Sequence, residues 1–174
     1  ENAVATVTLQ DYYVNGNKVT GEITITNRTP GGIDTTSSAN KPKVEIIVND
    51  GTSAGFATIV TSTGTIKWNA KKTYEKIEGH MTASDPADDV LTSFGTASGV
   101  NRKGRSFTVT VLEANKLRKA ASCKWVEDGI LELTPGQLAT RSIDFAYPKN
   151  QGSGVCDDQA QITVNGNTFE FTMQ

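Results

Sequence analysis

Apolar and polar residues alternate with a period of two along most of this chain, and this pattern limits the folds that it can adopt. Residues 19–26 show it clearly, because the odd positions are Val, Gly, Ile and Ile while the even positions are Thr, Glu, Thr and Thr. A period of two places one set of side chains on each face of a β-strand. Strands with one apolar and one polar face are typical of antiparallel sheets, so an antiparallel β protein is predicted.

Turn-forming residues divide the chain into about eleven or twelve such strands. This number of short strands predicts an all-β fold, either an antiparallel β-sandwich or a long β-meander, with little or no helix. Ala114–Ala121 has a helix-forming composition but is too short for a stable isolated helix, so we expect one helical turn or a simple link there. The expected strands lie at about residues 4–9, 19–26, 43–49, 55–61, 64–69, 73–83, 91–98, 105–113, 122–133, 139–146, 158–164 and 168–173.

The length of 174 residues predicts a single β domain, 1–174, that is long enough to bury a sizeable core. A division into an N-terminal part, 1–61, and a C-terminal part, 62–174, is a possible refinement.

Two hairpins can be given a register. A two-residue type I′ turn at Asn165-Gly166 pairs Val164 with Asn167, Ile162 with Phe169 and Ala160 with Phe171. These pairs share one face, and two of them are wholly apolar. Near Asn15-Gly16 a two-residue turn would mix the faces, so we expect a three-residue loop or a bulge that pairs Leu9 with Ile23 and Val7 with Ile25.

Charge and hydropathy exclude some classes of protein. The formal charge is −2, and the 17 basic and 19 acidic residues are dispersed, so a nucleic-acid partner is not expected. No apolar run approaches the roughly 18 residues of a membrane helix, so no transmembrane segment is expected. No pattern indicates a cofactor.

The two cysteines, Cys123 and Cys156, indicate one disulfide and an oxidising compartment. Two buried thiols in a cytosolic protein are the alternative. The chain begins at Glu1 rather than Met, as expected of an exported protein whose signal peptide has been removed, although cloning would give the same start. We therefore expect an extracellular or outer cell-surface location.

Catalytic signals are sparse. His80 is the single histidine and is expected in mid-strand. The sequence has no Gly-x-Ser-x-Gly motif that would supply a serine nucleophile for a catalytic triad with it, so a packed or exposed structural histidine is the better interpretation. One His with two distant Cys does not suit zinc. Carboxylates such as Glu127, Asp128, Asp157 and Asp158 could form a glycosidase pair, but acids are common in any β protein. No catalytic residue is assigned, and an enzyme is not expected.

Binding signals are weak as well. Asp85, Asp88 and Asp89 could offer oxygens to calcium, but they lack the alternate spacing of a calcium loop and are ordinary turn formers. The aromatic side chains of Trp68, Tyr12 and Tyr74 are candidates for holding a glycan or another ligand. Trp125, two residues after Cys123, is expected to pack over the disulfide.

Several segments together resemble a family of secreted proteins and lipoproteins of Bacteroidota whose function is unassigned. The likeness spans about residues 62–174, while residues 1–61 match loosely and the loop Tyr147–Ser153 is longer than is usual in the family. The segments are Asp89–Gly104, Cys123–Gly129, Glu132–Pro135, Thr140–Phe145 and Cys156–Gly166.

The resemblance implies an exported or lipid-anchored protein and supplies no catalytic residues. Glu1 is not a lipid-acceptor cysteine, so anchoring through the first residue of this form is not expected. Two function classes follow. One is a structural or adhesive surface protein, partnered by itself or by other surface proteins. Its specific form would be a filament subunit that exchanges terminal strands with its neighbours. The other is a glycan- or ligand-binding module of a surface uptake system.

Overall fold

Antiparallel strands make up nearly all of the regular secondary structure of this chain. The structure is a computed structural model, and it describes residues 2–34, 36–53, 55–148 and 154–174. Helix in these ranges is limited to two 3₁₀ turns, Pro86–Asp88 and Glu113–Asn115. The strands are β1 Val4–Val14, β2 Asn17–Asn27, β3 Lys43–Asn49, β4 Ala57–Thr61, β5 Gly64–Glu78, β6 Val90–Val100, β7 Ser106–Val111, β8 Leu117–Ala120, β9 Ile130–Pro135, β10 Arg141–Asp144, β11 Gln159–Val164 and β12 Asn167–Thr172.

All twelve strands belong to one sheet, in which their order follows the order of the chain. β3 and β4 share one position, since both pair with β2 and with β5, and β7 and β8 likewise both pair with β6. The predicted all-β fold is confirmed, and its topology is that of a β-meander. The sheet continues across residues 61 and 62, because β5 pairs with both β3 and β4. The division of the domain there stays a prediction.

Strand alternation sorts the side chains onto two chemically different faces. One row of directly paired residues crosses the whole sheet and is mostly apolar: Val7, Ile23, Val48, Ala70, Ala97, Val109, Leu133, Arg141, Val164 and Asn167. The next row, on the opposite side, is mostly polar: Thr6, Thr24, Ile47, Lys71, Thr96, Thr110, Glu132, Ser142, Thr163 and Thr168. We call these two sides the apolar face and the polar face.

The expected sizeable core does not form within the described residues. Their buried apolar side chains are few, and they are scattered over the chain: Val19, Ala57, Val90, Val111, Cys123 and Ala160. In the middle of the apolar face, Val48, Ala97 and Val109 are only half-buried. A second layer packed against this face would bury them, so within the described residues the sheet is a single layer.

The last hairpin has the predicted register. Val164 pairs with Asn167, Ile162 with Phe169 and Ala160 with Phe171. Asn165 and Gly166 both have positive φ, +49° and +77°, as a type I′ turn requires. The prediction is confirmed because the two-residue turn and the apolar pattern favour the same pairing.

The first hairpin contains the expected bulge, but its predicted pairs were wrong. Asn15 and Gly16 form a two-residue turn, and the irregularity lies in β1 between Leu9 and Tyr12. It shifts the register so that Leu9 pairs with Gly21 and Val7 with Ile23. The one extra residue stands in β1 rather than in the turn, so the partners of Leu9 and Val7 differ by two positions from those predicted, and the apolar residues still stay together.

Two other local expectations were wrong, and a third was met in part. The polar stretch Asn69–Lys72 does not end a strand, because it continues the alternation within one long strand, β5. The segment with helix-forming composition becomes a 3₁₀ turn followed by β8. The strand expected at 122–133 begins only at Ile130, since the preceding residues form a loop around the disulfide. Most of the long loop expected before Cys156, residues 149–153, lies outside the described residues.

Candidate functional site

The three candidate aromatic residues occupy one side of the sheet. Trp68 and Tyr74 are six residues apart in β5, and Tyr12 pairs with Val19 and through it with Ile59, so all three belong to the apolar face. Tyr12 and Trp68 line a groove of about 360 Å³. Trp68 and Tyr74 line a second groove of about 180 Å³, and Val48 borders both. The sequence did not predict that these residues share one surface, because Tyr12 lies far from the others along the chain.

Small residues surround Trp68 and leave room for its indole ring. Its direct neighbours on β4 and β6 are Ala57 and Gly99. On the far side of Ala57, a Cβ added to Gly21 would lie 2.6 Å from the Ala57 Cβ, so the backbones approach closely there. A large ring beside small neighbours stands above the surface of the sheet and is half-buried in this structure.

The grooves around Trp68 are poor in polar groups. The first is lined mainly by the apolar side chains Leu9, Val19, Ile23 and Ile59. The second adds Ile46, Ala70 and Ala97, and its one charged residue is Lys72. A glycan site combines aromatic rings with several hydrogen-bonding groups, whereas this surface offers mainly contact with apolar groups.

The polar face holds a larger concavity, which the sequence did not predict. It encloses about 780 Å³. The Ser98 hydroxyl in its wall donates to Asn69 Oδ1 at 2.6 Å. Its hydroxyl, amide and charged side chains are those of Glu22, Thr24, Asn49, Thr52, Ser53, Asn69, Lys71, Thr96, Ser98, Thr108 and Thr110. The available signal for it was the polar side of the alternation, which carries these Thr and Asn residues.

Two carboxylates bordering the strands of the polar face are held ionised by neighbours. The Arg28 guanidinium bonds Glu45 at 2.9 Å and, with Lys71 at 3.2 Å, lowers the pKa of that carboxyl despite its partial burial. The hydroxyl and amide of Thr52 lower the pKa of Asp50. Neither group is prepared to act as a proton donor, since each is stabilised in its charged form.

His80 has a structural position. It lies in the turn after β5 rather than in mid-strand, so that expectation was wrong. Gly79 has a φ of +75°, and this left-handed conformation bends the chain out of the strand. His80 is buried, with Nε2 3.1 Å from the carbonyl oxygen of Ser37 in the long loop 28–42. The contact joins this loop to the end of β5.

The acidic turn Asp85–Asp89 uses its carboxylates within the chain. Asp85 accepts a hydrogen bond from the Ala87 amide at 3.1 Å, which caps the 3₁₀ turn. Asp88 accepts one from the Thr82 hydroxyl. Asp89 forms an ion pair with Lys76 at 2.7 Å. The structure therefore gives each of the weak calcium candidates a separate local partner.

A cluster around the disulfide was only partly predicted. The sulfur atoms of Cys123 and Cys156 lie at bonding distance, 2.09 Å, which confirms the pairing. Glu127 lies beside them with its side chain 3% exposed and bonds Arg118. Within the described ranges, these two cysteines and Glu127 are the one group of three potential metal ligands, and the disulfide occupies both sulfur atoms. Trp125 is half-buried, its amide donates to Cys123 Sγ at 3.4 Å, and the Lys124 ammonium lies 4.0 Å from its ring centre.

No protein-family model, curated protein or solved structure matches this chain. The resemblance to Bacteroidota proteins accordingly stays a prediction. Within the described residues, no helix has the length and apolar character needed to cross a membrane.

Proposed function

We propose that this chain is a non-enzymatic, exported structural or adhesive protein that acts through its surface, as a subunit that joins other copies at the edges of its sheet. The observation that carries the proposal is that β1 and β12, the first and last strands, are the two edges of the sheet. An edge strand presents unpaired backbone groups that can accept another strand. The disulfide supports an oxidising compartment.

The two edges match in length. The bulge ends the regular part of β1 at Leu9, which leaves six residues, Val4–Leu9, and β12 also has six, Asn167–Thr172. Placing β12 of one copy beside β1 of the next continues the meander and leaves a free edge at each end. Such head-to-tail contacts do not close, so they build a filament.

Edge addition is favoured over exchange of a terminal strand. β12 is bonded along its whole length to β11 and is tied to it by the two-residue turn at Asn165-Gly166. Releasing β12 would break these pairs, whereas its outer side is already exposed. It carries neither Lys nor Pro, two of the residues that usually protect an edge, and Glu170 is its one charged residue.

A proline at the outer side of β12 tests this proposal. The amide of Met173 donates to Asp158 at 2.7 Å, so by alternation the amides of Thr168, Glu170 and Thr172 point away from β11. Thr168→Pro therefore removes an outward donor and keeps the backbone bonds of the hairpin. The contact of the Thr168 hydroxyl with Thr163 at 3.0 Å is lost, as it also is in Thr168→Val. We expect wild-type filaments in negative-stain microscopy and light scattering, none with Thr168→Pro, and normal filaments with the control Thr168→Val. Wild-type protein that never forms polymers would refute the proposal.

Binding of a small ligand is the second candidate function, because Trp68, Tyr12 and Tyr74 border adjoining grooves. The apolar lining favours an apolar ligand over a glycan. A ligand screen by isothermal titration calorimetry, with the variants Trp68→Ala and Trp125→Ala, tests it. Loss of binding with Trp68→Ala but not with Trp125→Ala would support this alternative.

A further inference from the structure

The apolar face is incompletely covered at its centre as well as at its edges. Ala70, Ala97 and Val109 each have bonded strands on both sides, yet all three remain half-buried. The neighbouring strands of a sheet reduce the solvent exposure of a side chain only from its two sides within the sheet. What leaves these residues accessible is therefore the open space above the face.

The accessible surface of the whole chain is larger than its mass predicts. It measures 10259 Å², whereas a compact monomer of 18.6 kDa exposes about 8,200 Å². The excess of about 2,000 Å² is comparable to the area that each subunit buries in an obligate homodimer, whose total interface is about 2,000–5,000 Å². A partner of the chain's own size could cover such an area.

We propose that a second copy of this chain covers the apolar face, so that two single-layer sheets pack face to face and form a two-layer sandwich across a dimer interface. Interdigitated side chains would bring the sheets to about 10 Å apart, as in a sandwich within one chain. Trp68 would be a principal anchor, because Trp side chains that enter a partner's surface contribute strongly to binding. The grooves beside Trp68 would receive apolar side chains of the partner.

The charges on this face are compatible with such a contact. In the central apolar row Arg141 is the one charged residue, and its Nη1 donates to the carbonyl of Ala139 at 2.9 Å, which directs it toward the strand end. Lys72 lies in the next row on the same face and is exposed. Its flexible stem can lie along the apolar surface while the ammonium group reaches water.

This dimer uses a different surface from the edge contacts of the proposed filament and does not depend on them. A face-to-face pair leaves both edges of each sheet free, so the two associations can occur together. They are separable by mutation, since one needs apolar side chains of the face and the other needs outward amides of β12.

A pair of adjacent substitutions in β6 tests the proposal. Ala97 is on the apolar face, and Thr96 is on the polar face of the same strand. In the Thr168→Pro background, which should not form filaments, we expect sedimentation equilibrium to give twice 18.6 kDa both without a further change and with Thr96→Lys. For Ala97→Lys we expect a dissociation constant at least about 100-fold higher, because an unpaired ammonium would be buried at the interface.

Circular dichroism establishes whether each variant is folded. If Ala97→Lys does not fold, Trp68→Ala replaces it, with an expected weakening of at least about tenfold. Thr168→Pro should still dimerise, whether or not the wild type forms filaments. A wild type that stays monomeric at every concentration would overturn the proposal, also if it binds detergent or lipid instead. Equal dissociation constants for the two Lys variants would overturn it as well. So would a dimer that is lost only with Thr168→Pro.

Discussion

Arg118 bonds the carboxylate of Glu127, and this ion pair stands beside the disulfide between Cys123 and Cys156. The Glu127 side chain is 3% exposed and also accepts the amide of Ala120 at 3.2 Å. The backbone reinforces the contact, because the Arg118 amide donates to the Asp128 carbonyl and the Glu127 amide donates to the Arg118 carbonyl, both at 2.9 Å. The pair therefore fixes the disulfide loop to β8.

Arg118→Met should lower the free energy of unfolding by about 3 kcal/mol, because it leaves the buried Glu127 carboxylate without its counter-charge. Urea unfolding followed by circular dichroism measures the loss. Glu78→Gln is the control, since Glu78 is 59% exposed and contacts Arg118 at 3.4 Å. Its loss should be below about 1 kcal/mol. Equal losses in the two variants would contradict this assignment.

Removing the disulfide should cost about 3–4 kcal/mol, because the bond restricts the unfolded chain over a sequence separation of 33 residues. The double variant Cys123→Ser with Cys156→Ser and the reduced wild type should show similar losses in urea unfolding. Mass analysis under non-reducing conditions checks the bond first. Free thiols in protein from its native source would contradict it and would remove the support for an oxidising compartment.

Stability should fall on acidification, in part through Glu45. The Arg28 guanidinium, followed by Lys71, lowers the pKa of Glu45 in the folded state. The stabilisation from these ion pairs is fully present above the pKa of Glu45 in the unfolded chain, about 4.3. It is lost as the pH falls through the lower pKa that Glu45 has in the folded protein. Glu45→Gln should lose about 0.5–1 kcal/mol at pH 7 and almost nothing at pH 2. A loss that does not change with pH would argue against the ion pair as its cause.

Gly166→Ala should destabilise the last hairpin by about 1–2 kcal/mol, because its φ of +77° is a left-handed conformation that Ala adopts at a cost. An added Cβ would meet no atom within 4 Å, so the cost is conformational rather than steric. Hydrogen exchange at the inward amides of β12, such as that of Phe169, should accelerate. Unchanged exchange there would indicate a different turn.

The sequence predicted strands best where two independent signals agreed. At Asn165-Gly166 the turn chemistry and the apolar pattern favoured one register, and the structure has it. Near Asn15-Gly16 the two signals disagreed, and the bulge beside Asp11, whose φ is +46°, resolved the conflict within the strand. An ion pair between Asp11 and Lys18 at 2.7 Å spans that bulge, and no pattern in the sequence indicated it.

The main feature that the sequence could not predict is what covers the faces of the sheet. Alternation states which side chains share a face but not what covers that face, so sandwich and meander remained equal alternatives. The alternation also could not predict that Tyr12 lies near Trp68, because this proximity depends on three strand pairings in succession. Nor could it predict the contact between Arg118 and Glu127, which depends on the loop after β8. The candidate residues were therefore named individually, while their arrangement required the structure.

The agreement between strand order and chain order affects how this protein can reach its native state. Each strand pairs only with strands that precede or follow it closely, so every new strand can add to a sheet edge that the preceding segment has already made. Loops closed in this way are short, and short loops favour rapid folding of β proteins. A chain that emerges gradually with its N-terminus first could thus fold strand by strand, and the Cys123–Cys156 bond would form only after ten of the twelve described strands have been made.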